Sequence, residues 1–95
     1  DLVITGEGKL DEQSLMGKAV SGIASRCAKN NVPLVALAGT VSVSREQLKK
    51  SGVTAAFSIQ REATDIETAI RNTHENLLFT AQQIISLMLV FKDRK

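Results

Sequence analysis

The sequence lacks tryptophan and tyrosine altogether, and its 95 residues hold three phenylalanines, one proline and one cysteine. With Cys27 alone, neither an intramolecular disulfide framework nor a cysteine-based zinc site can be built, and the expected home is cytoplasmic. Few aromatics also means no stacking platforms for bases. The twelve basic residues are spread from Lys9 to Lys95 rather than gathered on one face, so nucleic acid is not an expected partner. Lys92, Arg94 and Lys95 read as a solvated end. Long apolar runs are missing too: Leu87 to Phe91 falls far short of the ~20 residues a membrane helix needs, and no signal peptide opens the chain. There is no initiating methionine, and a start in mid-strand at Asp1-Leu2-Val3 leads to the expectation of a piece of something longer.

What is present fits one small globular α/β unit, residues 1–95, with 43% apolar and 23% charged residues and a net charge of +2. Three β-like runs, Leu2–Thr5, Leu34–Ala38 and Ala55–Ile59, each precede a helical pattern. The first two are continuously apolar, as expected of parallel strands covered on both faces. The order βαβαβα therefore predicts neighbouring parallel strands in a three-layer, Rossmann-like arrangement. A first helix is expected from Glu12 to Lys29, with Met16, Val20, Ile23 and Cys27 on one face, ending before Pro33. Ser44 and Gln47 form a capping box for a second helix that Gly52 closes. Thr64 and Glu67 suggest the same box for a third. That third helix carries Ile66, Ile70, Leu77, Ala81, Ile84, Met88 and Phe91 on a stripe, and after Leu77 it is apolar on more than one side.

The stretch Asp1 to Ala19, DLVITGEGKLDEQSLMGKA, carries more glycine and acid than a simple strand-to-helix turn needs. If a strand ends at Thr5 and a helix begins at Glu12, Gly6 to Asp11 lies at the carboxyl end of the sheet, where open α/β folds bind ligands. Gly6 and Gly8 would let a ligand approach the backbone, and Lys9 and Lys18 could face a phosphate. Glu7 and Asp11 could hold Mg²⁺, or one of them could accept a hydroxyl proton. Such parts suit phosphoryl transfer. The plain alternative is that Asp11 caps the helix, Glu12 complements its dipole, and Glu7 and Lys9 are simply exposed. Neither a P-loop nor a dinucleotide fingerprint is present: Gly17-Lys18-Ala19 lacks the spaced glycine and the following hydroxyl, and Gly6, Gly8 and Asp11 lack a third glycine.

Thr5-Gly6-Glu7-Gly8, then Asp11, Gln13-Ser14 and Gly17-Lys18, resembles the T-G-E-G-x-x-D-x-Q-[ST]-x-x-G-K signature of the bacterial type-1 glycerate kinases. The resemblance extends through Pro33, Val35-Ala36-Leu37-Ala38-Gly39, Phe57-Ser58 and the long last helix, so it covers nearly the whole chain. It implies the C-terminal part of a longer two-domain kinase that phosphorylates D-glycerate with ATP and Mg²⁺ in an interdomain cleft. On the matching positions it implies that Gly6, Glu7, Gly8 and Asp11 line one wall of that cleft. Asp11 would handle metal or hydroxyl, Gln13 and Lys18 would help with anionic groups, and Gly39 and Thr40 would border the same edge. The missing N-terminal part would supply the other wall, so the piece alone is expected to be inactive.

Other features are weighed against plainer roles. Gly39-Thr40 after the second strand could equally be a turn before Ser44. Arg61, Glu62 and Asp65 follow the third strand and could touch a ligand or lie in a solvated loop. His74 stands mid-helix, away from the glycine-rich stretch, and Cys27 reads as core. A different class of function is a non-catalytic oligomerisation or docking module, a homodimer for instance, that uses the apolar last helix. A phospho-receiver domain is disfavoured, because its strands would need a different set of terminal acids.

Overall fold

The computed structural model describes residues 1–92 and contains three parallel strands: β1 (Val3–Leu10), β2 (Leu34–Val41) and β3 (Ala55–Ser58), in the spatial order β1-β2-β3. The expected α/β class with neighbouring parallel strands is thus the observed one. Residues 93–95 lie outside the described residues, so of the basic tail only Lys92 is placed. By its internal contacts the chain divides into two compact units, Asp1–Ser58 and Ile59–Lys95.

In the first unit, the central position of β2 explains its composition. Leu34 to Ala38 are all buried, because a strand flanked on both edges presents only side chains to its surroundings. Leu34, Ala36 and Ala38 join the core cluster, and pleat alternation turns Val35 and Leu37 to the opposite face, where they are also buried. The first cluster is completed by Leu10, Leu15, Val53 and three residues of a helix, Val20, Ala24 and Cys27.

Three helices follow the first two strands: α1 (Glu12–Met16), α2 (Lys18–Lys29) and α3 (Arg45–Ser51). The single helix expected over Glu12–Lys29 is broken at Gly17, whose extended backbone (φ −69°, ψ 154°) ends α1 and starts α2. The break resets the helical phase. Met16 is consequently 73% exposed instead of sharing the buried stripe with Val20 and Cys27. The Ser44–Gln47 box is present in both directions, Gln47 N–H to Ser44 Oγ at 3.1 Å and Ser44 N–H to Gln47 Oε1 at 2.8 Å. Gly52 closes α3 in the left-handed region at φ 82°, donating its N–H to the Leu48 and Lys49 carbonyls.

The expected strand boundaries also shift. β1 does not stop at Thr5 but continues through Gly6-Glu7-Gly8-Lys9-Leu10, since β2 runs on to Val41 and offers a partner along the whole length. Gly39 and Thr40 are likewise strand rather than turn. β1 is the edge of the described sheet, and Val3 and Ile4 are more exposed than a strand covered on both faces would be.

The second unit holds α4 (Ile66–Arg71) and α5 (Thr73–Lys92). The cap of α4 is Asp65, whose Oδ1 accepts from Thr68 N–H at 2.7 Å, so the helix starts one residue later than a Thr64–Glu67 box would set it, and the amide capped is that of Thr68. The expected continuous third helix is interrupted at Asn72, although Asn76 N–H still donates to Asn72 O at 2.9 Å and Thr73 Oγ1 to Ala69 O at 3.2 Å across the junction. Ile66 and Ile70 on α4 are exposed rather than striped into a core. Along α5, Leu77, Leu78, Phe79, Ile85 and Leu87 to Phe91 are all exposed, in agreement with a helix apolar on more than one side. No described helix is long and apolar enough to cross a membrane.

Candidate functional site

The carboxyl ends of β1 and β2 finish side by side. Lys9 pairs with Thr40 and Leu10 with Val41, and Ser42 N–H extends the ladder to the Leu10 carbonyl at 2.8 Å. Asp11 comes immediately after, as the cap of α1. Register therefore places Lys9, Asp11, Gly39 and Thr40 along one edge of the sheet.

Asp11 is held by a reciprocal box. Its Oδ1 accepts from Ser14 N–H at 2.9 Å and from the Ser14 hydroxyl at 2.7 Å, while Asp11 N–H donates to Ser14 Oγ at 2.8 Å. The same hydroxyl lies 3.0 Å from the Lys9 carbonyl and 3.3 Å from the Asp11 carbonyl, but its one proton favours the shorter, charge-assisted bond to the carboxylate. These bonds engage Oδ1 and leave Oδ2 with Lys9 Nζ at 4.0 Å, a loose and exposed ion pair. The side-chain and backbone bonds from Ser14, with a smaller contribution from Lys9, hold the Asp11 carboxyl below the usual aspartate value. It is a fixed, ionised carboxylate with one oxygen presented outward. Ser14 is the partner that the sequence reading did not single out for the site. The signal was there in the spacing Asp-x-x-Ser, a box whose second member is a hydroxyl in place of the usual Glu or Gln.

The three strand glycines separate into two kinds. A Cβ on Gly39 would lie 2.9 Å from the Gly8 carbonyl oxygen, so Gly39 is required by the close approach of the two backbones. Gly6 and Gly8 themselves have nothing within 4 Å of where a Cβ would stand, and neither has a positive φ. The fold does not need them to be glycine. Their effect is to leave two exposed positions of β1, Gly6 and Gly8, without a side chain shortly before Asp11.

The remaining candidates are less closely joined. Glu7 is half-buried in the middle of β1, opposite Ala38; Gln13 is exposed on α1, and Lys18 is exposed at the first position of α2. Among the described residues no hydrogen bond or ion pair joins any of the three to Asp11. Nor do the described residues include a group of three or more His, Cys, Asp or Glu side chains suited to a metal ion. Cys27 is buried in the core, and His74 is exposed in the first turn of α5. Asp65 is used as a helix cap, and Arg61 and Glu62 line a cavity within the second unit.

Residues 1–89 match the model of the glycerate kinase family. The glycerate kinase of Bacillus cereus is 36% identical over 94 residues, which covers 99% of this chain and 25% of that protein. The glycerate kinase of Neisseria meningitidis serogroup B is 41% identical over 88 residues, covering 93% and 24%, and the glycerate 2-kinase of Escherichia coli is 29% identical over 89, covering 94% and 23%. The chain spans about a quarter of the length of the curated relatives it matches. A match this extensive, running through the glycine strand, the Asp11–Ser14 box and both units, places the chain in the glycerate kinase family.

Proposed function

We propose that this chain is the C-terminal part of a longer kinase that phosphorylates D-glycerate with ATP, and that Gly6 to Asp11 form one wall of its cleft. The observation that carries this reading is a pair of side-chain-free positions on β1, two glycines that no turn and no packing contact requires, followed three residues later by an oriented carboxylate. Glycine inside a strand marks a place where another group comes close to the backbone. Membership of the glycerate kinase family supports reading that group as a nucleotide or glycerate.

The donor set fits Mg²⁺ only as a shared ion, because Mg²⁺ takes one or two carboxylates and draws its other ligands from phosphate and water. Asp11 Oδ2 would supply one such ligand, with Glu7 as the second candidate. When bound, the ion would offset charge on the phosphate oxygens. The chain's own residues do the positioning. Ser14 fixes Asp11 and lowers its basicity, which suits a cation ligand better than a general base. Lys9, Lys18 and Gln13 offer donors to anionic oxygens, and Gly39 with Thr40 borders the same edge. In the transfer, a glycerate hydroxyl oxygen bonds to the γ-phosphorus, the bond to the ADP oxygen breaks with its electron pair, and the hydroxyl proton leaves to water. The 95 residues alone are expected to be inactive, since the opposite wall would come from elsewhere in the protein.

The test is ADP release by the intact protein with Mg-ATP and D-glycerate, wild type against Asp11→Asn. Glycerate-dependent release that falls about 100-fold or more in the variant, with folding retained, is the expected result. Equal turnover per folded molecule would make Asp11 a helix cap only. No glycerate-dependent release from wild type would sink the kinase reading and favour a docking module built on α5.

A further inference from the structure

We propose that the open edge of β1 seats a further parallel strand, supplied by the part of the protein outside these 95 residues and paired with β1 over residues 3–6. Val3 N–H donates to Pro33 O at 3.0 Å, and in a parallel ladder the groups that face one neighbour fall on every second residue. Val3 and Thr5 therefore face β2, and the N–H and C=O of both Ile4 and Gly6 point the other way. Among the described residues no strand lies on that side. Such a row of backbone donors and acceptors is a template for another strand.

Burial shows where the cover of the sheet stops. Register sets Val3 beside Leu34 and Ile4 beside Val35; partners in register share a face, and successive residues take opposite faces. Leu34 is 0% and Val35 6% exposed, whereas Val3 is 36% and Ile4 38% exposed. Both faces thus open within one strand spacing. Solvent-facing edge strands are blunted by charge, by proline or by being very short. β3 has only four residues, but β1 has eight and begins Val-Ile-Thr. An apolar start on both faces is the composition of an interior strand of a parallel sheet. The second half of β1 differs. Glu7 and Lys9 bring charge, and Leu10 O accepts from Ser42 N–H at 2.8 Å, where unbroken alternation from Val3 would turn that carbonyl outward. The regular row of outward groups therefore stops short of Asp11, and residues 3–6 are its uncharged part.

The occupant follows from the sheet and from chain length. The described strands all pair in parallel, and wholly parallel sheets are covered on both faces by the crossover segments of their own chain. A second copy brought up by a two-fold axis would set β1 against β1 antiparallel, with no crossover to cover Val3 and Ile4. The chain spans about a quarter of the length of its relatives, so a protein of that length has ample sequence to supply both the strand and its cover. None of this depends on the kinase reading.

The test is residue-resolved amide hydrogen exchange on the intact protein by NMR, with Thr5, which faces β2, as the internal reference. Ile4 and Gly6 are expected to exchange about 1,000-fold or more slower than an unstructured amide, and within about tenfold of Thr5. Fast exchange at both beside a protected Thr5 overturns the added strand. Through-space contacts from the two amide protons then identify the neighbour. Contacts to an extended segment running parallel to β1 in the same molecule are the expected result. Contacts to a helix overturn the strand, and contacts seen only between labelled and unlabelled copies in a mixed sample overturn its origin in the same chain. Ile4→Pro gives a second readout, because proline removes an N–H that an edge strand can spare and an interior strand cannot. Its unfolding equilibrium constant should exceed that of Ile4→Ala about tenfold or more. Equal constants in the two variants would show that nothing pairs with Ile4 and would overturn the assignment.

Discussion

Gly6, Gly8 and Gly39 lie on two adjacent strands, yet a methyl group would meet different surroundings at each. At Gly39 it would press on a backbone carbonyl at 2.9 Å, and since that atom cannot swing aside the strands must part. Gly39→Ala is expected to cost about 1–3 kcal/mol in the intact protein, the range of small overpacking changes. At Gly6 and Gly8 the methyl would stand in open space with ordinary backbone angles. Gly6→Ala and Gly8→Ala should therefore leave stability within about 0.5 kcal/mol. If a substrate or cofactor passes over that surface, the same substitutions should lower kcat/KM about tenfold or more through misplacement. Unfolding midpoints and steady-state rates of the three variants make the comparison. Full activity in Gly6→Ala and Gly8→Ala would mean that the bare strand serves nothing outside the fold.

At the scale of elements, α3 is the one whose ends were most legible. Ser44, Gln47 and Gly52 each act through a local mechanism that needs no distant partner, and all three do what their chemistry dictates. Gly52 at φ 82° also has Ala24 of α2 nearby, 3.4 Å from where its Cβ would be. Gly52→Ala should cost about 1–2 kcal/mol, the left-handed penalty for a residue with a Cβ. Gly52→Asn should cost less, because asparagine tolerates that region; equal losses, measured by denaturant unfolding, would point to crowding against Ala24 instead. β1 was less legible for the opposite reason. Gly-Glu-Gly-Lys has the composition of a turn, and it is a strand because Leu37 to Val41 pair with it, a distant partner that composition cannot reveal. The breaks at Gly17 and Asn72 were missed because apolar spacing continues across both, whereas the backbone does not. Of the site, the position of Asp11 after the first strand is legible in the sequence, whereas its anchoring by the Ser14 hydroxyl depends on the side-chain geometry of the helix start.

For the whole molecule, α5 poses the largest question of surface. Leu77, Leu78, Phe79, Ile85, Leu87, Met88, Leu89, Val90 and Phe91 are exposed along one 20-residue helix, a density of large apolar groups that water does not favour. The chain makes up only about a quarter of its relatives' length, so protein outside these 95 residues is the natural cover. If so, residues 1–95 prepared alone should gain an oligomeric mass with rising concentration in sedimentation and bind an apolar dye, as a second copy substitutes for the missing cover. The intact protein should bind little dye. Leu89→Glu separates the two situations: in the isolated piece it should weaken self-association, and in the intact protein it should destabilise the fold by about 2 kcal/mol or more, because a charge would then be buried without a partner. Should the intact protein tolerate Leu89→Glu without loss of stability but change its oligomeric state, the helix would be the contact between copies, and the homodimer would replace the intramolecular cover.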